Sequence, residues 1–300
     1  MLSWRKLGRV TTEPAAYPTV DLVDGGLRVY FSRRDELGRS RSYFMTVDPD
    51  DPLRLERTAD RPIFDLGPPG TFDADGHAAR CVVETPKGKL MYLIGWNRSQ
   101  SVPYHLSIGC ARSDDGRVWS KMPGPVMDRS LDEPFFCTSP CVLHDGGLYR
   151  MWYCGALGWE MHDGRPEPIY RIHHAESRDG LSWRRTPHVC VDTFPGGDAI
   201  GWPVVWKDNG AYQMIFSYRG RALYRDDPAH GYRLGYGVSA DGLRWDVRNE
   251  DFALDRSDEG WDSIMIAYPA LHGEFLFYNG NGFGATGIGL ARRVIDPLTP

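Results

Sequence analysis

The strongest constraint on this chain is a motif that it carries three times. Ser-x-Asp-Gly-x-x-Trp spans Ser113–Trp119, Ser177–Trp183 and Ser239–Trp245, at intervals of 64 and 62 residues. Self-similarity of that period marks an architecture of stacked repeats. Each copy follows an alternating stretch, Leu106–Arg112, Arg171–Glu176 and Arg233–Val238, which is the pattern of a strand with two unlike faces. Asp-Gly supplies the backbone of a tight hairpin, so each copy predicts a turn between antiparallel strands with the Trp opening the return strand. The motif is read as structural. Its three Asp residues are not catalytic candidates, and His173 and His174, alternating on a strand beside Glu176, read as packed or solvated rather than metal-binding.

Upstream of each motif lies a second recurring unit, an apolar strand, a short polar turn and a strand rich in aromatics and Met. It is clearest at Pro140–Tyr153 and recurs at Pro203–Phe216, Pro18–Phe31, Cys81–Tyr92 and Pro269–Tyr278. Together the units predict an all-β fold, a five-bladed β-propeller of four-stranded antiparallel blades. The last repeat stops after its third strand, Thr286–Arg292, while Ser3-Trp4-Arg5 resembles Ser182-Trp183-Arg184. An N-terminal strand completing the last blade closes the ring and removes two open edges. Residues 1–300 are therefore expected to form a single domain. With 34 Gly and 22 Pro, the chain has the turn residues that so many short strands require.

A formal charge of -5 gives no basic footprint for nucleic acid. The N-terminal residues lack the apolar core of a secretion signal, and no apolar run approaches the length of a membrane span. A cytoplasmic protein with no membrane association is expected. The six cysteines lie mostly in apolar strand patterns and read as buried thiols. Cys137 and Cys141 have no partner pair at zinc spacing, and no contiguous loop of oxygen ligands suggests Ca²⁺. Neither a metal nor a cofactor is expected.

In a propeller the loop entering each innermost strand reaches a common central funnel, and acids recur at those entries: Asp73 and Asp75, Asp132 and Glu133, Asp198, and Asp262. Paired carboxylates are what glycosidic cleavage needs, one protonated toward the leaving oxygen and one ionised. Asp75, Glu133, Asp198 and Asp262 are the catalytic candidates, with Glu133 or Asp198 as acid and Asp75 or Asp262 as base. Arg34, His77, Trp96, Trp159, Arg219, Tyr268, Asn279 and Asn281 are the candidates for substrate binding. Aromatic faces and amides suit a sugar, and Arg suits an anionic group on it.

The pattern resembles the five-bladed propeller glycosidases related to glycoside hydrolase family 43 and the invertase-type enzymes. Gly70–Gly76, Met151–Tyr153, Tyr170–Trp183, Gly260–Ser263 and Phe277–Gly287 are similar to an uncharacterised bacterial group of such propellers, and the resemblance spans nearly the whole chain. It implies a glycosidase-like enzyme acting on a sugar or polyol, with a link to biosynthesis. The glycosidases carry an Asp at the entry to the first blade, where this chain has Ala15-Ala16-Tyr17-Pro18. That departure keeps two alternatives open. One is a repurposed biosynthetic enzyme performing ring closure or group displacement, with an acid or His77 as base. The other is a non-catalytic propeller binding carbohydrate or a protein partner.

Overall fold

The computed structural model describes residues 1–294. Among them the chain is all β, broken only by short 3-10 turns at Asn249–Asp251 and Asn281–Gly284. Four strands, Cys137–Asp145, Leu148–His162, Arg165–Ser177 and Arg184–Val191, form one antiparallel sheet in sequence order. Ala199–Asp208, Ala211–Arg219, Arg233–Ser239 and Asp246–Val247 form a second of the same order.

A larger, eight-stranded sheet holds two such meanders. Ala16–Val23, Gly26–Arg34, Ser40–Val47 and Leu55–Thr58 make one, and Gly76–Thr85, Gly88–Arg98, Tyr104–Ser113 and Ser120–Lys121 make the other. They are joined through one parallel pair, Ser40 with Gly76. The remaining sheet contains Ala267–His272, Phe275–Asn279 and Ile288–Val294, extended by the N-terminal strand Leu2–Thr11, which pairs antiparallel with Ile288–Val294. The expected closure by the N-terminal strand is present. This sheet gains a fifth member, Phe252–Ala253, running parallel to Leu2–Thr11.

The repeated motif forms the expected hairpin and also latches neighbouring meanders together. The Ser hydroxyls of the three copies accept the N–H of Gly116, Gly180 and Gly242 at 2.8, 2.9 and 2.8 Å. The Asp carboxylates accept N–H groups just beyond, as Asp179 does from Leu181 at 2.8 Å. The carbonyl thereby turned outward takes a donor from the preceding meander: Tyr30 to Gly116, Tyr92 to Gly180 at 2.7 Å and Trp152 to Gly242 at 2.7 Å. A φ of 74° at Gly180 admits only glycine comfortably.

The innermost strands share a second irregularity. Each carries one extra residue relative to its partner, between Ala16 and Thr19, Ala79 and Cys81, Thr138 and Cys141, Gly201 and Val204, and Ala267 and Ala270. In four of them the residue before a proline sits in the left-handed region: Tyr17, Ser139, Trp202 and Tyr268, at φ 62°, 52°, 58° and 58°. Arg80 stands at the fifth position without a following proline. Such conformations cost energy and persist only where the surroundings fix them. Here they re-aim side chains out of the pleat, as bulges do.

Candidate functional site

The re-aimed side chains meet. Tyr17 stacks on Trp202 with centroids 4.8 Å apart, and Tyr268 packs against both at 4.8 and 4.2 Å. This aromatic cluster floors a cavity with an outer compartment of about 570 Å³ and an inner one of about 220 Å³. Tyr17, Arg34, Tyr104, Tyr224, Tyr232 and Tyr268 line both. Asn279 fixes the floor from behind: its Oδ1 accepts the N–H of Tyr17 at 2.8 Å, and its Nδ2 donates to the carbonyls of Ala15 and Gly287, each at 2.8 Å.

Arg219, almost fully buried, organises the inner compartment. Its guanidinium lies 3.7 Å from the Tyr224 ring centroid. Its Nε–H is shared between the hydroxyl oxygens of Tyr170 and Tyr232 at 3.2 Å each, and the remaining nitrogens donate to the carbonyls of Pro168, Gly220 and Arg221. The two tyrosine hydroxyls lie 2.5 Å apart. One hydroxyl hydrogen is used between them, so the other is left for an acceptor outside the pair. Burial pushes the Tyr17, Tyr170 and Tyr268 hydroxyls up from their ordinary value, keeping them neutral donors at physiological pH.

Behind Tyr224 lies Glu167, buried, which accepts hydrogen bonds from the Tyr224 hydroxyl and from two nitrogens of Arg225. Burial works against the Glu167 charge, but the bonds from Arg225 and Tyr224 outweigh it and hold the carboxyl below its ordinary range. Arg34 is different. It donates to the Gly38 carbonyl at 2.6 Å and rests over the Trp96 ring at 5.1 Å. Among the described residues no carboxylate forms an ion pair with it.

Of the binding candidates, Arg34, Trp96, Arg219 and Tyr268 line the cavity. Trp159 packs one layer back, against Tyr104 at 5.2 Å and Phe136 at 5.7 Å. Asn279 and Asn281 are positioning residues, Asn281 accepting the N–H groups of Ile264 and Met265 at 2.8 and 3.2 Å. His77 is fully buried, its Nδ1 at 2.9 Å from the Ser42 hydroxyl, and burial lowers it to about 4. It lies outside the cavity lining.

Each of the four acids expected to converge is claimed by cations or N–H donors. Asp75 accepts the N–H of Arg98 at 2.8 Å, and Asp198 accepts that of Arg221 at 3.1 Å. Glu133 is buried among Tyr153, Arg185 at 3.0 Å and His173 at 3.5 Å. Asp262, with no exposed surface, bonds Lys6 at 2.6 Å and Tyr278 at 3.2 Å. None of the four is among the residues lining either compartment. The geometric expectation that acids at strand entries point into the funnel is corrected accordingly. Tyr17, Trp202 and Tyr268, the residues before three of the prolines, line the cavity instead.

Sequence reasoning missed Tyr17, Tyr104, Tyr170, Trp202, Tyr224, Tyr232 and the Glu167–Arg225 pair. A signal existed for two of them. Tyr17-Pro18, Ser139-Pro140, Trp202-Pro203 and Tyr268-Pro269 recur at equivalent places in the repeat. Tyr170 heads one of the segments that carry the resemblance, but nothing local marks Tyr104, Tyr224 or Tyr232, which come together from separate loops and strands.

No protein-family model matches the chain. Two relatives from strains of Mycobacterium tuberculosis, the uncharacterized proteins MT1551 (CDC 1551 / Oshkosh) and Rv1502 (ATCC 25618 / H37Rv), are each 36% identical to it over 308 residues, covering 97% of this chain and 99% of the relative. Among solved structures, a BT0996–RGII complex superposes with a TM-score of 0.71 at 16% identity, over 98% of this chain and 92% of the matched one. A member of the GH130 family, which is described as containing mannoside phosphorylases and glycoside hydrolases for β-1,2 mannosidic linkages, gives 0.69 at 18% identity, over 96% and 86%. A thermostable family-43 glycoside hydrolase gives 0.68 at 17% identity, over 95% and 91%. These likenesses give the fold, a glycosidase-like β-propeller. The chain belongs to the family of the M. tuberculosis proteins MT1551 and Rv1502.

Proposed function

We propose that the funnel binds a sugar-like small molecule. The observation that carries this reading is the cluster of Tyr17, Trp202 and Tyr268 at the floor of a cavity ringed by further tyrosine hydroxyls. Aromatic faces take the apolar side of a sugar ring while neutral hydroxyls and amides serve its oxygens. With the eight-stranded sheet divided at its single Ser40–Gly76 bridge, the sheets read as five blades of one domain over residues 1–294, residues 295–300 of the expected domain lying outside the described residues. Carboxylate-pair hydrolysis is the weaker part of the glycosidase analogy, since Glu13 is the one acid among the lining residues and a pair is required. Fold alone does not carry the chemistry.

A second reading, a repurposed enzyme, is favoured by one observation. Tyr224 lines both compartments and its hydroxyl hydrogen is spent on buried Glu167, which leaves the phenol oxygen fixed as an acceptor for a reacting hydroxyl of the ligand. The test is calorimetric titration of the wild type and Tyr268→Ala with a panel of methyl glycosides and disaccharides, with mass spectrometry of the same mixtures. Binding that is lost in the variant supports the sugar site, and binding of none of the panel overturns it. Turnover lost in Tyr224→Phe with binding retained selects the second reading.

A further inference from the structure

We infer that the funnel's ligand carries an anionic group, a carboxylate or a phosphoryl oxygen cluster, and that Arg34 holds it where the two compartments meet. The inference rests on the sugar reading of the same cavity and names its substrate class.

The case is one of charge accounting around the mouth. Arg225 is neutralised by Glu167, Arg221 by Glu160, and Arg98 lies 3.7 Å from Asp75. The acid adjacent to Arg34 in sequence, Asp35, is committed elsewhere. It accepts from Arg39 Nε at 2.9 Å, from Arg41 Nη1 at 3.0 Å and from the N–H groups of Leu37 and Arg39. Those bonds outweigh its partial burial and hold its carboxyl well below the usual range. Arg34 therefore faces the cavity beside the Tyr17 hydroxyl, with one donor spent on Gly38, its guanidinium seated over Trp96, and no carboxylate among the described residues to neutralise it. Arg33 lines the outer compartment beside it, donating to the Pro14 carbonyl at 3.2 Å. Glu13, also at the outer wall, is the single opposing charge among the lining residues.

A chain with a net charge of -5 thus presents positive charge in this cavity. The compartments divide the ligand. Ala78, Ile94, Leu106, Tyr170 and Trp202 line the inner one, which suits a ring, and Arg34 stands where a substituent on that ring would reach the outer one. A guanidinium with free donors on a flat aromatic support is the arrangement that recognises planar or tetrahedral oxyanions in a fork.

The experiment measures the affinity of the full-length protein and of Arg34→Gln for matched sets of gluco, galacto and manno sugars. Each set contains the methyl glycoside, the uronic acid and the 6-phosphate, and inorganic phosphate is titrated alone. At least one acidic member is expected to bind about tenfold or more tightly than its neutral partner. The advantage of the acidic member over its neutral partner should shrink with added salt and vanish in Arg34→Gln. A larger gain for uronic acids than for 6-phosphates, or the reverse, identifies the anion. Equal affinity for neutral and acidic partners, or a preference that survives Arg34→Gln, overturns the inference. If no sugar binds but phosphate binds through Arg34, the anion subsite stands and the sugar reading falls.

Discussion

The side-chain oxygen of Asn279 accepts the backbone N–H of Tyr17 at 2.8 Å, across 262 positions of sequence. Both of its amide hydrogens are used as well, on Ala15 and Gly287. One buried amide thus ties the strand that carries the cavity floor to the sheet completed by the N-terminal strand. Asn279→Ala leaves an N–H and two carbonyls without that partner, and a loss of at least about 2 kcal/mol is expected. A lower urea midpoint at unchanged slope, together with weakened ligand binding, is the result to look for.

Gly180→Ala tests the latch between meanders. The glycine has a φ of 74°, and an added Cβ would meet Leu90 at 2.8 Å and the Tyr92 hydroxyl at 3.0 Å. Gly196 has a φ of 83° with nothing within 4 Å, so Gly196→Ala isolates the backbone cost of about 1 kcal/mol. Gly180→Ala should exceed it by about 1–2 kcal/mol. Equal costs in chemical denaturation would refute the packing part.

Glu133→Gln separates a structural acid from a catalytic one. Arg185 and His173 lose the charge they face, and a destabilisation of about 2 kcal/mol or more is expected. Ligand affinity, measured below the unfolding temperature, should be unchanged. An intact fold with abolished turnover would return Glu133 to the catalytic candidates.

Tyr232→Phe removes one of the two hydroxyls over Arg219. The Nε–H keeps Tyr170, so the stability cost should stay near about 1 kcal/mol. One hydroxyl hydrogen still remains for an outside acceptor, now on Tyr170, but the cavity loses the Tyr232 oxygen as a partner for the ligand. Ligand affinity is expected to fall about five- to tenfold, read by calorimetry.

His77 and His174 set a pH dependence. Burial lowers both to about 4, below the ordinary value of 6.5. Between those limits the unfolded chain binds protons that the folded chain refuses, so stability is full above the ordinary histidine value and falls as pH drops toward about 4. The loss over that window is on the order of 3 kcal/mol for each histidine. Urea midpoints at about pH 7 and about pH 5 should differ in the wild type and differ less in His174→Gln. A flat profile contradicts the sign.

Much of the fold was legible because it is periodic. The Ser113, Ser177 and Ser239 motifs each specify their own hairpin through bonds that span only a few residues, and Trp4 echoes Trp183 closely enough to reveal the closing strand. The sheet boundaries were less legible, since the Ser40–Gly76 bridge and the pairing of Phe252–Ala253 depend on how meanders lie against one another. Part of the cavity lining was legible, since Arg34, Trp96, Arg219 and Tyr268 line it, while the four acids do not. Acids such as Asp262 look functional in sequence, but Lys6 and Tyr278 approach from other strands and absorb the charge. The tyrosines look like core in sequence, and only their assembly around Arg219 shows otherwise.

The bulge before each proline makes the residue it displaces a replaceable fitting. Tyr17, Ser139 and Trp202 occupy equivalent left-handed positions with very different side chains, so the backbone there is set by the bulge and not by the side chain it carries. A new specificity can then be installed by exchanging one or two of these residues while the strands behind them keep their register. Combinatorial replacement at Tyr17, Trp202 and Tyr268 is the natural library from which to retrain this propeller toward another ligand.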